Sequence, residues 1–147
     1  MERNGITTRE FLIGDYDRAV VLWNDVEGVE ICEGDSREEI RAYLERNPGL
    51  SRLAEENETI AGAVLCGHDG RRGFLYHLAV APAFRGRGVG QLLLEDCVQG
   101  LSAAGIKRAI ILVADDNSLG REFWLRNGWE DITGALPMAR DVGGGTT

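Results

Sequence analysis

Residues 82–91 read PAFRGRGVGQ, and an apolar helical pattern follows at once. Gly86, Gly88 and Gly90 occupy alternate positions, with Arg85 and Arg87 among them. A packed core has no use for such a stretch. A bare, positively charged backbone at the start of a helix has one clear use, which is to hold an anion. The first N–H groups of a helix have no intrahelical partner, and the helix dipole adds partial positive charge there. Phosphate oxygens are the natural ligand of that arrangement. Glycines let the backbone curl and come close to a diphosphate, and arginines supply charge and paired donors. The two commonest nucleotide motifs fail on spacing. No Gly-Lys-Ser/Thr completes a G-x-x-x-x-G-K-[ST] loop, and Gln91 stands where G-x-G-x-x-G needs its third glycine.

The other chemically able side chains are sparse. Cys32, Cys66 and Cys97 are far apart and form no C-x-x-C, so neither a disulfide framework nor a zinc site is expected. His68 and His77 are the only histidines, and no metal is expected. The net charge of −8 argues against a general nucleic-acid surface. It is compatible with cationic substrates such as amines, and equally with a solvated acidic surface. No run of about 18 apolar residues suggests a membrane span. The opening MERNGITTRE lacks the apolar segment of a signal peptide, so a cytoplasmic protein is expected. The length suits a single domain over 1–147, with an ordered core at about 7–140 and a disordered tail at 143–147.

The elements that must carry the loop follow from pattern. TTREFLI (7–13) predicts a strand, and GDYDRAVVLWNDV (14–26) a helix capped by Asp15, with Tyr16, Val20 and Trp23 on one face. EGVEICEGD (27–35) is an acidic loop. SREEIRAYLERNPG (36–49) opens with Ser36 and Glu39 at capping-box spacing and stops at Asn47. Strands at 50–56 and 59–67 flank a tight turn at Asn57-Glu58. A turn at 68–72 leads to a strand at 73–80, which Pro82 closes. The helix at 89–105 ends at Gly105. The apolar run IKRAIILVA (106–114) predicts a central strand buried on both faces. A short helix covers 115–128, and WEDIT and ALPMARDV predict closing strands. The order β-α-α-β-β-β-α-β-α-β-β implies an α/β fold with a mixed sheet. It is antiparallel in its first half and has a parallel crossover after residue 80.

LAVAPAFRGRGVGQLLLE resembles the central motif of the GNAT acetyltransferases, R/Q-x-x-G-x-G/A, here Arg85, Gly88 and Gly90. DDNSLGREFWLRNGWE resembles that family's N-x-x-(A/G)-x-x-x-Y-x-x-x-G-(F/Y) segment. The element order matches the family from residue 7 to about 140, and the chain looks most like its small, single-domain bacterial members. The resemblance implies an N-acetyltransferase that uses acetyl-CoA as co-substrate. The pyrophosphate would lie on the amides of Arg85, Gly86, Arg87, Gly88, Val89, Gly90 and Gln91. The pantetheine arm would pair like a strand with Leu78, Ala79 and Val80. The Leu78 N–H would polarise the thioester carbonyl, Asn117 would bond the pantetheine, and Phe123 would pack beside it.

Amide formation from an amine needs a proton acceptor, a held oxyanion and a leaving thiolate that gains a proton. Relatives commonly use a tyrosine for the last task, and Trp124 takes its place here. An indole N–H donates but does not give up its proton near neutral pH. Two positions that carry glutamate in well-known members read Phe74 and Leu112. Tyr76 lies two residues after Phe74 and so projects to the same strand face, which makes it the preferred candidate base. His77, expected on the opposite face, has the more suitable ordinary pKa for a histidine, near 6.5. Asp115, Asp116 and water-relayed deprotonation stay open. Cys66 and Cys97 lie in apolar patterns without an adjacent histidine, so direct transfer in a ternary complex is expected. By family position, Trp23, Asp25, Glu27 and Glu30, with Glu33, would line an acceptor wall suited to a cationic amine. The acceptor, a small molecule or a peptide amine, and the oligomeric state, a homodimer included, stay open. A degenerate acyl-CoA-binding module is the alternative that the missing tyrosine and glutamates suggest.

Overall fold

A computed structural model describes residues 2–3, 5–26 and 28–143. Among these, six strands form one sheet in chain order, β1 (Glu2–Arg3), β2 (Ile6–Glu10), β3 (Arg52–Glu56), β4 (Thr59–His68), β5 (Gly73–Val80) and β6 (Ala109–Ile110). Four helices accompany it, α1 (Tyr16–Asn24), α2 (Arg37–Arg46), α3 (Val89–Ala103) and α4 (Ser118–Arg126). The first five strands pair antiparallel, and β6 returns parallel to β5 after α3. This is the mixed α/β architecture expected from the element pattern.

Local chemistry explains most boundaries. The strand expected at 7–13 is β2, which ends at Glu10 because Ile13–Asp15 turns in a 3-10 helix. Asp15 does not cap α1 through its side chain. Its carboxylate accepts the Leu12 N–H (2.9 Å) and pairs with Arg9 (2.8 Å) and Arg18 (2.9 Å). The Ser36–Glu39 capping box forms as predicted, each side chain bonding the other's backbone N–H at 3.2 Å. Asn57 and Glu58, at φ +50° and +68°, make the tight β3–β4 turn.

The sheet buries both faces. Phe11, Trp23, Ile40, Leu53, Ala63, Leu65 and Ala79 form the layer under α1 and α2. Leu75, Val89, Leu92, Leu93, Cys97 and Leu101 belong to the layer under α3. Burying a side chain of this size contributes about 1.5–3 kcal/mol. Cys66 and Cys97 are both within this core.

The last third departs from expectation. The run at 106–114 forms a strand only at Ala109–Ile110, at the sheet edge, and Leu112 is 74 % exposed. The closing strands expected at 129–133 and 135–142 do not form among the described residues. Gly134 turns the chain at φ +81°, Pro137 lacks an N–H, and residues 130–143 are exposed. A central strand needs a ladder neighbour on each side, and among the described residues β6 has one only towards β5. Of the expected disordered tail, residues 144–147 lie outside the described residues. No described helix is long and apolar enough to cross a membrane.

Candidate functional site

Strand β5 is irregular where chemistry was expected. Gly62 and Ala63 pair with Val80 and Ala79, but Leu65 pairs with Tyr76. Val64 therefore opposes both His77 and Leu78, which is a β-bulge. His77 takes up the extra residue at φ +53°. That left-handed conformation costs a non-glycine residue about 1–2 kcal/mol. The bulge breaks the simple alternation of faces. The Tyr76 ring meets Tyr43 of α2 edge-on (6.4 Å) and stacks on Phe74 (6.4 Å), while the His77 ring lies 5.0 Å from Trp23 of α1. Leu78 packs into the α3 layer. The expectation that His77 projects away from Tyr76 is thus corrected, and both meet the α1–α2 layer.

On its other edge β5 pairs with β6 only at Gly73 and Phe74. Beyond Phe74 the edge that includes Leu78, Ala79 and Val80 has no ladder partner on that side among the described residues.

The glycine loop follows directly. Pro82–Phe84 makes a 3-10 turn with Phe84 buried. Gly86 and Gly88 then stand at φ +79° and +76°, conformations that L side chains resist. Gly88 is the N-cap of α3 and supplies no side-chain bond, so no cap competes for the first helical N–H groups. A Cβ on Gly86 would meet nothing within 4 Å, whereas one on Gly90 would lie 3.3 Å from Phe123 Cζ and 3.5 Å from Val80 Cγ2. Phe123 thus brings α4 against the start of α3. Arg85 and Gln91 are exposed, and Val89 is buried. Arg87 is braced instead, with Nη2 2.6 Å from Glu56 Oε2 and its guanidinium 5.3 Å from the Phe84 ring centre. The hydrogen bond from Arg87 holds the Glu56 carboxyl below its ordinary value.

Sequence reading missed a buried partner for His77. Its Nε2 lies 2.8 Å from Asp35 Oδ2, with only 15 % and 9 % of the two side chains exposed. The Cys32 N–H donates to the same oxygen (3.1 Å), and the Tyr16 hydroxyl donates to the Asp35 carbonyl (2.5 Å). These bonds fold the α1–α2 loop back onto the bulge. Burial, then the neighbouring Asp35, push the Cys32 thiol up. Burial also pushes the Tyr76 phenol up, although the ring is 45 % exposed. Tyr76 therefore keeps its proton at neutral pH and is a donor rather than a base.

The remaining expected residues are spread around this centre. Asn117 caps α4, with Oδ1 accepting the Gly120 N–H at 3.0 Å, and its Nδ2 would meet a Cβ on Gly28 at 2.8 Å. Trp124 is held edge-to-face between Phe123 (5.4 Å) and Trp129 (4.9 Å). Trp23 is not an acceptor-facing wall. It is fully buried, parallel to Phe11 (6.1 Å), with Nε1 lacking any partner. Asp25, Glu30, Glu33, Asp115 and Asp116 are exposed, and Glu27 lies outside the described residues. A cavity of about 1180 Å³ lies between α3, α4 and the segment after β6. Asn117 and Trp124 line it, but the glycine loop, Tyr76 and His77 do not. The chemistry-bearing groups therefore sit along an open strand edge rather than in that cavity.

Comparison with known proteins matches this arrangement to a family model described as acetyltransferase (GNAT) family over residues 17–129. An acetyltransferase of Yersinia pestis (strain Pestoides F) is 35% identical over 114 residues, covering 74% of this chain and 77% of that one. One from Pectobacterium atrosepticum is 34% identical over the same shares. Among solved structures, a GNAT-family acetyltransferase from Staphylococcus aureus Mu50 aligns with TM-score 0.77 at 18% identity, covering 90% of this chain and 88% of that one. Ard1 from Thermoplasma volcanium aligns with TM-score 0.75 at 18% identity, over 84% and 82%. At that identity the structural matches speak to the fold alone.

Proposed function

Because the chain belongs to the GNAT acetyltransferase family, we propose that it moves the acetyl group of acetyl-CoA to a primary amine by direct attack in a ternary complex. One observation carries the donor assignment. A loop of left-handed glycines leads into an α3 N-terminus with no side-chain cap, directly beyond the β5 edge that lacks a ladder partner. The space fits the ligand. Gly86 leaves room for a pyrophosphate, and the amides of 85–91 with the exposed Arg85 supply donors and charge. Arg87 serves the loop by bracing it against Glu56. Leu78, Ala79 and Val80 offer strand-like pairing to the pantetheine arm, with Phe123 and Asn117 at its side.

The Leu78 N–H, beside the bulge, polarises the thioester carbonyl. One donor of this kind is typically worth about 3 kcal/mol in the barrier. The acceptor approaches from the α1–α2 side, where the exposed Asp25 and Glu30 favour a cation. Equal turnover of neutral and cationic acceptors, insensitive to salt, would overturn that acceptor class.

The test is thiol release from acetyl-CoA with a panel of amines. Arg85→Ala and Gly88→Val are expected to raise the acetyl-CoA KM strongly, and an unchanged KM overturns the loop assignment. Trp124, in the place of the family's tyrosine and packed between Phe123 and Trp129, favours a second reading, an acyl-CoA-binding module with little catalysis. Thermal stabilisation by acetyl-CoA without thiol release on any amine would favour it.

A further inference from the structure

His77 occupies a costly backbone conformation, and two contacts hold it there, the Asp35 carboxylate at 2.8 Å and the Trp23 ring at 5.0 Å. Such strain persists only where its surroundings over-determine it, and it clusters at functional sites. Asp35 has no other ion-pair partner among the described residues. An ionised carboxylate can only accept, so Nε2 carries the proton of the neutral ring and Nδ1 carries the lone pair. Nδ1 has no hydrogen-bond partner among the described residues and is not one of the buried polar atoms lacking a partner, so it meets solvent.

Among the described residues, the hydroxyls and the thiol nearest the ring hold their protons, and the free lone pair is on His77. From β5, the neighbouring Tyr76 keeps its proton, as does Tyr43 of α2, whose phenol burial pushes far up. From the loop, Cys32 is a neutral thiol beside Asp35, and Glu30 and Glu33 are exposed. From α1, Tyr16 bonds the Asp35 carbonyl, and Arg37 of α2 lies over the Tyr16 ring at 5.8 Å and pairs with Asp17.

We infer that Nδ1 of His77 accepts the proton of the acceptor amine, and that Asp35 is its positioning residue, fixing the ring's tautomer and stabilising the imidazolium as it forms. The inference deepens the acetyl-transfer reading and rests on it. The acceptor ammonium gives one proton to Nδ1, and the freed lone pair forms the C–N bond to the acetyl carbon. The C–S bonding pair leaves with the coenzyme A sulfur. That sulfur takes the second nitrogen proton, and the imidazolium releases its own to water. Because His77 directly precedes Leu78, the bulge sets base and carbonyl donor on consecutive residues.

The test compares His77→Gly, which suits φ +53° and should fold, with His77→Asn and Asp35→Asn. Loss of a general base is expected to lower kcat about 10²–10⁴-fold. The acetyl-CoA KM and the thermal shift with acetyl-CoA stay within about twofold, because both glycine-loop contacts and the strand edge are untouched. The deficit narrows as pH rises and the amine deprotonates unaided. Added imidazole restores rate to His77→Gly in proportion to its unprotonated fraction. Asp35→Asn lowers kcat less and displaces the acidic limb of the pH–rate profile, which a merely structural role would not do. Unchanged kcat and pH profile in both His77 variants, with the wild type active, overturn the dyad alone. A wild type that binds acetyl-CoA yet releases no thiol with any amine overturns the acetyl-transfer reading and the dyad with it.

Discussion

The glycine loop and the bulge adjoin the same stretch of β5, and they reach function by opposite routes. The loop is a local device. Its conformation follows from Gly86 and Gly88, its charge from Arg85, and its donors from the start of α3. The bulge is an assembled device. His77 is useful only because a loop aspartate 42 positions away folds back to meet it and a tryptophan from α1 supports its ring. A local device can be read from a short string of letters and damaged only from within. An assembled one depends on packing far from the chemistry.

That difference is open to attack, beginning with the largest effect. Trp23→Ala should destabilise the fold by about 3–5 kcal/mol, the usual cost of emptying a buried aromatic site. It should also lower kcat while leaving the acetyl-CoA KM near its starting value. Denaturant unfolding alongside steady-state kinetics checks both, and a KM that rises with the loss of stability would mean that the two regions are coupled. Gly88→Ala forces a Cβ into a left-handed position and should cost about 1–2 kcal/mol. The acetyl-CoA KM should increase about tenfold with kcat at saturation preserved. A kcat effect as large as that of His77→Gly would erase the distinction.

A smaller effect concerns pH. Burial opposes the charge on Asp15, but Arg9, the Leu12 N–H and Arg18 outweigh it and hold the carboxyl at about 2. A lowered folded-state pKa gives stability that is present above the unfolded value, near 3.9 for aspartate, and is lost as pH falls towards about 2. After screening by solvent the loss should be about 1–2 kcal/mol. Asp15→Asn should flatten the acid limb of the unfolding curve over that window, and an unchanged limb would remove Asp15 as its source. The smallest effect separates the two arginines. Arg87→Ala, which breaks a solvent-screened ion pair, should change stability little. It should disturb acetyl-CoA binding less than Arg85→Ala does. A reversed order in their dissociation constants would assign the phosphate contact to Arg87.

Particular residues show where sequence reading reached and where it stopped. Ser36 with Glu39, and Asn57 with Glu58, act through neighbours within three positions, and both form as read. A period of two puts Tyr76 and His77 on opposite faces, and a single extra residue in β5 cancels it. Asp35 looked like one more acid in an acidic loop, since no spacing links it to His77. The run at 106–114 has the composition of a buried strand, but its pairing ends at Ile110, because burial depends on what else reaches it. Family position puts Trp23 on the acceptor wall, whereas the structure buries it beneath the bulge.

The amino-acid sequence by itself determined the mixed α/β architecture as far as α4, the family and the glycine loop that leads into α3. Each of these rests on interactions between residues close in the chain, where dihedral preference and hydrogen bonding act without help. The tertiary structure decided which groups share a face, which carboxylate is buried against His77, and how far β5 is left open beside β6. Those outcomes depend on ladder register and on long-range packing, and a one-residue slip in register reverses the direction of every side chain beyond it.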